Sequence, residues 1–280
     1  MPIVPADIRM PRVKRAPVIA HIPHASTVIP EGVRRTIVLD DDALAREVAH
    51  LTDWRTDELF DWVRSYGGAL YVNRLSRLVL DPERFRDRDP AEAVGQGVVY
   101  TRTSSGAPLA EITPEERALR IAELYDPYHE GLTDVVGATL EDFGMALILD
   151  CHTFPTTPVP TERPHEGDRP EICIGTDDFH TPPVLADSLE YAFRAEGFTV
   201  ARNSPFTGTL VPLEYLNADR RVMSVMIEVR RDLYCDEATG EPNERFALTR
   251  ALLENCVVWA VDKAIQERVA EGRGSISATL

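Results

Sequence analysis

Met145-Ala146-Leu147-Ile148-Leu149-Asp150 is the stretch on which the fold turns. The run is apolar up to a closing acid, short, and without polar alternation, so it reads as a strand covered on both faces. Strands of this kind belong to parallel or mixed sheets with helices on either side. Outward from it, further short apolar runs at 17–20, 69–73, 172–175, 198–201 and 222–229 read as strands, and 78–81 as another beyond an Arg-containing turn. Helical patterns alternate with them. One covers 40–66 and is broken near Leu51-Thr52, so that Thr52 caps a second helix beginning at Asp53. Another opens on Thr113-Pro114-Glu115-Glu116, with Thr as cap and Glu in the capping-box place, and runs toward Leu140 with a kink at Pro127. Two more cover 185–196 and 244–269. The expectation is a single α/β domain over residues 1–280, built on a mixed, mostly parallel sheet with helices on both faces. Residues 1–16 read as an N-terminal arm and 271–280 as a C-terminal tail.

Composition narrows the function. Hydrophobic residues at 44% and charged residues at 27% describe a globular chain rather than a disordered one. The 30 Lys and Arg against 46 Asp and Glu leave a formal charge of −16, a field that repels phosphate backbones and anionic membranes. Nucleic acid and membrane are therefore not expected partners, and an anionic substrate would need local Arg to offset the global field. Cys151, Cys173, Cys235 and Cys256 include no close pair and read as free thiols. With no continuous apolar segment of signal-peptide or membrane-spanning kind, the expected location is the cytoplasm.

Three acid or imidazole positions fall at the ends of expected buried strands: His24 after 18–22, His152 after 145–150, and Glu228 at the end of 222–227. In open α/β sheets the site forms outside the carboxyl ends of the strands. Either imidazole alone reads as a satisfied structural residue; the set reads as a metal site. Two His and a carboxylate are a common zinc set that leaves a position for water. A second carboxylate can then carry a proton from water to a leaving amine. The acidic ligand stays open between Asp53 and Asp57, which lie four apart and would share one helix face.

Several blocks in order resemble the N-formylglutamate amidohydrolase family. They are His21-Ile22-Pro23-His24-Ala25-Ser26, Thr52-Asp53-Trp54-Arg55-Thr56-Asp57-Glu58-Leu59, and Asn73-Arg74-Leu75-Ser76-Arg77-Leu78-Val79-Leu80-Asp81-Pro82-Glu83-Arg84. Tyr128-His129, Asp150-Cys151-His152-Thr153 and Ile227-Glu228-Val229-Arg230 follow. The blocks cover most of 18–237, a whole domain rather than one motif. The family is similar in fold and site to zinc carboxypeptidases and aspartoacylases. The resemblance implies one Zn²⁺ per chain bound by His24, Asp53 and His152, with Glu228 as the catalytic carboxylate. His21 occupies a place where other members often carry a different residue and is left out of the set.

Arg74, Arg77 and Arg84 surround Asp81, and Arg recognises carboxylates bidentately. They are candidates for holding a substrate carboxylate, with an internal salt-bridge network around Asp81 as the competing reading. The resemblance implies that Arg77 and Arg84 face the site. Asn203, in Asn203-Ser204-Pro205-Phe206-Thr207-Gly208, and the Gly95-Gln96-Gly97 turn read as loop elements over the pocket. His129 reads as a packing residue, His165 and His180 as loop residues, and Cys151 as a structural thiol on the far side of the strand from His152. The stretch 207–212 departs from members active in histidine degradation, which tend to carry an Arg there. The expected activity is hydrolysis of an N-formyl or other N-acyl amino acid, a small-molecule substrate. The alternatives are an amide of a dicarboxylate, a peptide C-terminus, and a non-catalytic binder on the same fold.

Overall fold

The computed structural model of the chain describes residues 4–13, 15–160, 162 and 168–277. Seven strands form one sheet: β1 (Ala6–Arg9), β2 (Val18–Ile22), β3 (Ala69–Asn73), β4 (Ala146–Phe154), β5 (Ile172–Gly175), β6 (Val200–Arg202) and β7 (Val222–Arg230), in the order β1-β3-β2-β4-β7-β5-β6. β3, β2, β4 and β7 run parallel; β1 pairs antiparallel with β3 at one edge, and β5 antiparallel with β7 toward the other. This is the expected single α/β domain with a mixed, mostly parallel sheet. The strand β1 comes from the segment read as an arm.

Every residue of β4 is buried, and strand alternation divides its side chains between two cores. Leu147, Leu149 and Cys151, with Met223, Val225, Ile227 and Val229, meet Leu59, Phe60, Trp62 and Val63 and the helices α7 (Pro183–Ala195) and α8 (Phe246–Ser277). Ala146 and Ile148 face the other way. With Ile19, Tyr71 and Val222 they pack on Tyr128, Leu132, Val136 and Leu140 of α6 (Asp126–Phe143). The sheet is thus covered on both faces, as its unbroken apolar strands require.

Four local expectations are corrected. First, β4 does not stop at Asp150: it stays in register with β7 through Phe154↔Arg230, so His152 and Glu228 lie inside strands and opposite each other. Second, the helix Asp41–Leu51 ends where expected, but Thr52 closes it instead of opening another, because its hydroxyl donates back to Val48 O at 2.7 Å. Asp53 therefore sits in a turn before the short helix Thr56–Leu59, and Asp57 is turned away to Arg9 at 2.9 Å. Third, 78–81 is buried but not a strand; its amides are satisfied in a turn, Leu78 N by Ser76 Oγ and Val79 N by Ser76 O. Fourth, α8 runs on to Ser277 through most of the expected tail, and 278–280 lie outside the described residues.

The helix at Thr113 forms with its capping box, Pro114–Arg120, and joins α6 through a π turn, Ile121–Tyr125, immediately before Pro127, which has no N–H to continue an α ladder. Among the described residues no helix is long and apolar enough to cross a membrane. All four cysteines are buried and free. His165 lies outside the described residues.

Candidate metal centre

Three elements bring the expected ligands together. His24 stands in the loop after β2, and its carbonyl accepts the amide of Asp53 at 3.0 Å, which ties the turn after the helix Asp41–Leu51 to that loop. His152 reaches the same point from β4. One donor atom from each of His24, Asp53 and His152 lies within 4.8 Å of the others, and all three residues are buried. Asp53 Oδ2 is 3.1 Å from His152 Nδ1 and 3.7 Å from His24 Nδ1.

The surroundings orient each imidazole. Asp81 accepts from His24 Nε2 at 2.9 Å, which leaves Nδ1 facing Asp53 as a buried nitrogen with no hydrogen-bond partner. His152 Nε2 donates to Glu83 at 3.0 Å and to Asp150 at 3.2 Å, so its Nδ1 likewise faces inward. Carboxylates behind ligating imidazoles fix ring orientation in metal sites. Donor type and an unpartnered inward nitrogen fit a cation held by His24, Asp53 and His152.

Electrostatics follow from the same contacts. Burial works against ionisation of Asp53, but hydrogen bonds and charge from His152 and His24 outweigh it and hold the carboxyl well below the ordinary range. Asp81 is likewise driven low, with burial overcome by Arg84, Arg77 and His24. Burial would lower His152, yet Glu83 and Asp150 raise it. Glu228 goes the other way. Burial pushes its carboxyl up to about 8, and its Oε2 has no partner. Burial also lifts Cys151, which keeps it a thiol and no nucleophile.

The arginines divide. Arg77 donates to Asp81 at 2.9 Å, while its buried Nε has no partner. Arg84 donates to Gln96 O at 3.1 Å and lies 3.4 Å from Asp81. The salt-bridge network around Asp81 is therefore real. Arg74 is exposed, and the Asn203 side chain bonds both Thr176 N and Thr176 Oγ1, so neither hydrogen-bonds the clustered groups among the described residues.

Compared with known proteins, the chain matches the N-formylglutamate amidohydrolase family over residues 16–235. The chain belongs to the N-formylglutamate amidohydrolase family. It is accordingly a hydrolase acting on an amide bond, which sets aside the non-catalytic alternative. It is 26% identical over 268 residues to N-formylglutamate deformylase of Pseudomonas putida, covering 89% of this chain and 95% of that one. The enzyme of the same name from Pseudomonas aeruginosa is 27% identical over 264 residues, covering 89% and 96%. The crystal structure of N-formylglutamate amidohydrolase from Ralstonia eutropha JMP134 is similar at a TM-score of 0.80 and 28% identity, covering 96% of this chain and 100% of that one.

Asp81, Glu83, Asp150 and His21 of this amidohydrolase were not singled out as site residues from sequence. Asp150 carried a usable signal, an acid closing a fully apolar strand. Arg231, buried and 3.6 Å from Asp53 Oδ1, follows immediately on the Glu228 strand. Glu83 carried none, because in the charged run 83–89 it looks like one more solvated acid.

Proposed function

We propose that the chain is a metal-dependent deformylase of N-formyl amino acids, with N-formylglutamate as the leading substrate and zinc as the metal. The observation that carries this reading is the buried convergence of His24 Nδ1, Asp53 Oδ2 and His152 Nδ1 in an amidohydrolase-family chain. Two imidazoles and a carboxylate suit Zn²⁺, and Co²⁺, Mn²⁺ or Fe²⁺ accept the same donors. A divalent cation there supplies Lewis acidity, which lets water act as a nucleophile near neutral pH and polarises the scissile carbonyl.

The protein's own groups do the rest. Glu228, in register with His152 on the neighbouring strand, takes a proton from the attacking water and returns it to the leaving nitrogen. The C–N bond breaks, giving formate and the free amino acid. Glu228 must be ionised to accept that proton, and a nearby dication favours the carboxylate that burial alone disfavours. Arg77, with an unpartnered Nε beside its Asp81 bond, anchors a substrate carboxylate, and Arg84 supports it through the shared Asp81.

The test is metal analysis of purified protein together with formate release from a panel of N-formyl amino acids. The expected result is one divalent ion per chain and turnover highest on an N-formyl amino acid with an acidic side chain. A His152→Ala protein should fold but lose the ion. Absence of formate release alongside hydrolysis of another N-acyl amino acid, a dicarboxylate amide or a peptide C-terminus would move the assignment to that substrate. The residue pattern at 207–212 favours keeping those compounds in the panel.

A further inference from the structure

On the sheet face that carries His152, three buried residues form a chain that ends on it. His21 Nδ1 lies 2.8 Å from Asp150 Oδ1, and the Tyr128 hydroxyl lies 2.7 Å from His21 Nε2. The same Asp150 oxygen is 3.2 Å from His152 Nε2, and its other oxygen accepts the amide of Leu210 at 2.8 Å. His21, Tyr128 and Asp150 are at most 1% exposed, so water does not replace these partners.

Donor and acceptor roles follow from elementary chemistry. An ionised carboxylate only accepts, so each imidazole nitrogen facing Asp150 carries a proton. A neutral His21 protonated at Nδ1 has a bare Nε2, and the phenol must donate to it. His152 carries a proton at Nε2 by the same logic, and its Nδ1, 3.1 Å from Asp53, donates to that carboxylate until a cation takes the place of the proton. Glu83, accepting from His152 Nε2 at 3.0 Å, pulls in the same direction. With His21 neutral, the hydrogen bonds run from Tyr128 to His21, and from His21 and His152 to Asp150.

We propose that Tyr128, His21 and Asp150 act as positioning residues that lock His152 in the Nε2–H tautomer and present its Nδ1 to the cation. This rests on the metal reading above. The alternative is that the chain only packs α6 against the sheet, a role that Tyr71, donating to Tyr128 O at 2.6 Å, already serves.

The experiment uses the full chain, with zinc affinity measured by competition against a chromophoric chelator and ring protonation by ¹⁵N NMR of histidine-labelled protein. Tyr128→Phe removes one hydroxyl remote from the cation and should weaken zinc binding about 10-fold, and Asp150→Asn up to about 100-fold, the range for losing a partner behind a metal ligand. Melting of the metal-free proteins checks folding; should Asp150→Asn not fold, Tyr128→Phe and the spectra of the unaltered protein carry the test. Those spectra should show His21 protonated at Nδ1 with Nε2 bare, and His152 protonated at Nε2. A proton on His21 Nε2, or a folded Tyr128→Phe with unaltered affinity, overturns the chain alone. Unaltered protein that takes up no cation overturns the metal reading and this inference with it.

Discussion

Glu228 and His152 are neighbours across β7 and β4, and both hold a proton more tightly than the free groups do, for different reasons. Glu228, with no partner for Oε2, is raised to about 8, whereas His152 keeps its proton because Glu83 and Asp150 outweigh desolvation. Glu228→Gln preserves shape but removes the proton acceptor. Metal content should be unchanged while kcat for deformylation falls by roughly two to four orders of magnitude; near-normal turnover would reassign the shuttle, with Glu83 the next carboxylate to test. The same shift predicts a pH dependence. Its folded value lies above the ordinary 4.5, so Glu228 contributes stability that is fully present below about 4.5 and lost as pH rises toward 8. The raised His152 acts in the same sense above 6.5. His129, lowered by burial to about 4, works the other way and adds stability as pH rises to 6.5. Denaturant midpoints of metal-free protein should therefore fall between pH 6.5 and 8, and less steeply in Glu228→Gln; a rising midpoint in that window would mean that Glu228 is already ionised in the folded chain. His24, His152 and Glu228 were legible because each stands at an apolar run. Asp81 and Glu83 were not, since their burial arises from tertiary contacts such as His129 Nε2 donating to Pro82 O at 2.8 Å.

At the scale of elements, the apolar runs placed six of the seven strands, and the polar end of β4 was underread because a strand's register is a pairing property, not a hydropathy property. Asp53 shows the converse. Local helix chemistry favoured a first-turn position, but the Asp53 amide bond to His24 O and the Thr52 hydroxyl bond to Val48 O make a turn there instead, which aims Asp53 at the imidazoles and Asp57 at Arg9. The loop after β6 is placed by close packing. A Cβ on Gly175 would collide with Gly208 O and with the Met226 side chain, so β5 needs glycine for the loop to lie against the sheet. That loop carries Leu210, whose amide holds Asp150. Gly175→Ala should cost about 1–3 kcal/mol of stability, the usual penalty for overpacking, and should lower kcat/KM by displacing Leu210 from Asp150. Chemical denaturation checks the first effect and formate release the second. An unaltered midpoint would show that 203–212 moves aside freely and does not brace the centre.

For the whole molecule the governing quantity is the charge of −16, against which a doubly anionic substrate such as N-formylglutamate must approach. The parallel strands deliver His24, His152 and Glu228 toward their carboxyl ends, and the turn at Asp53 meets them there, where Arg77, Arg84 and Arg231 give the site a local balance different from that of the surface. The two scales respond differently to salt. The Debye length shrinks from ~30 Å at 0.01 M to ~8 Å at 0.15 M, which removes long-range repulsion but hardly touches a buried contact of a few ångströms. Encounter with an anionic substrate should therefore improve as salt is added, while the proposed anchor at Arg77 survives. We expect kcat/KM for N-formylglutamate to rise between about 0.01 and 0.15 M ionic strength, and kcat to stay level, because the bound state is screened least. An uncharged N-formyl amino-acid amide, run in parallel, should show no such rise and serves as the control for nonspecific salt effects. If kcat/KM for the dianion instead fell with salt, attraction by the site arginines would dominate the approach path, and the acidic surface would have no part in setting the rate.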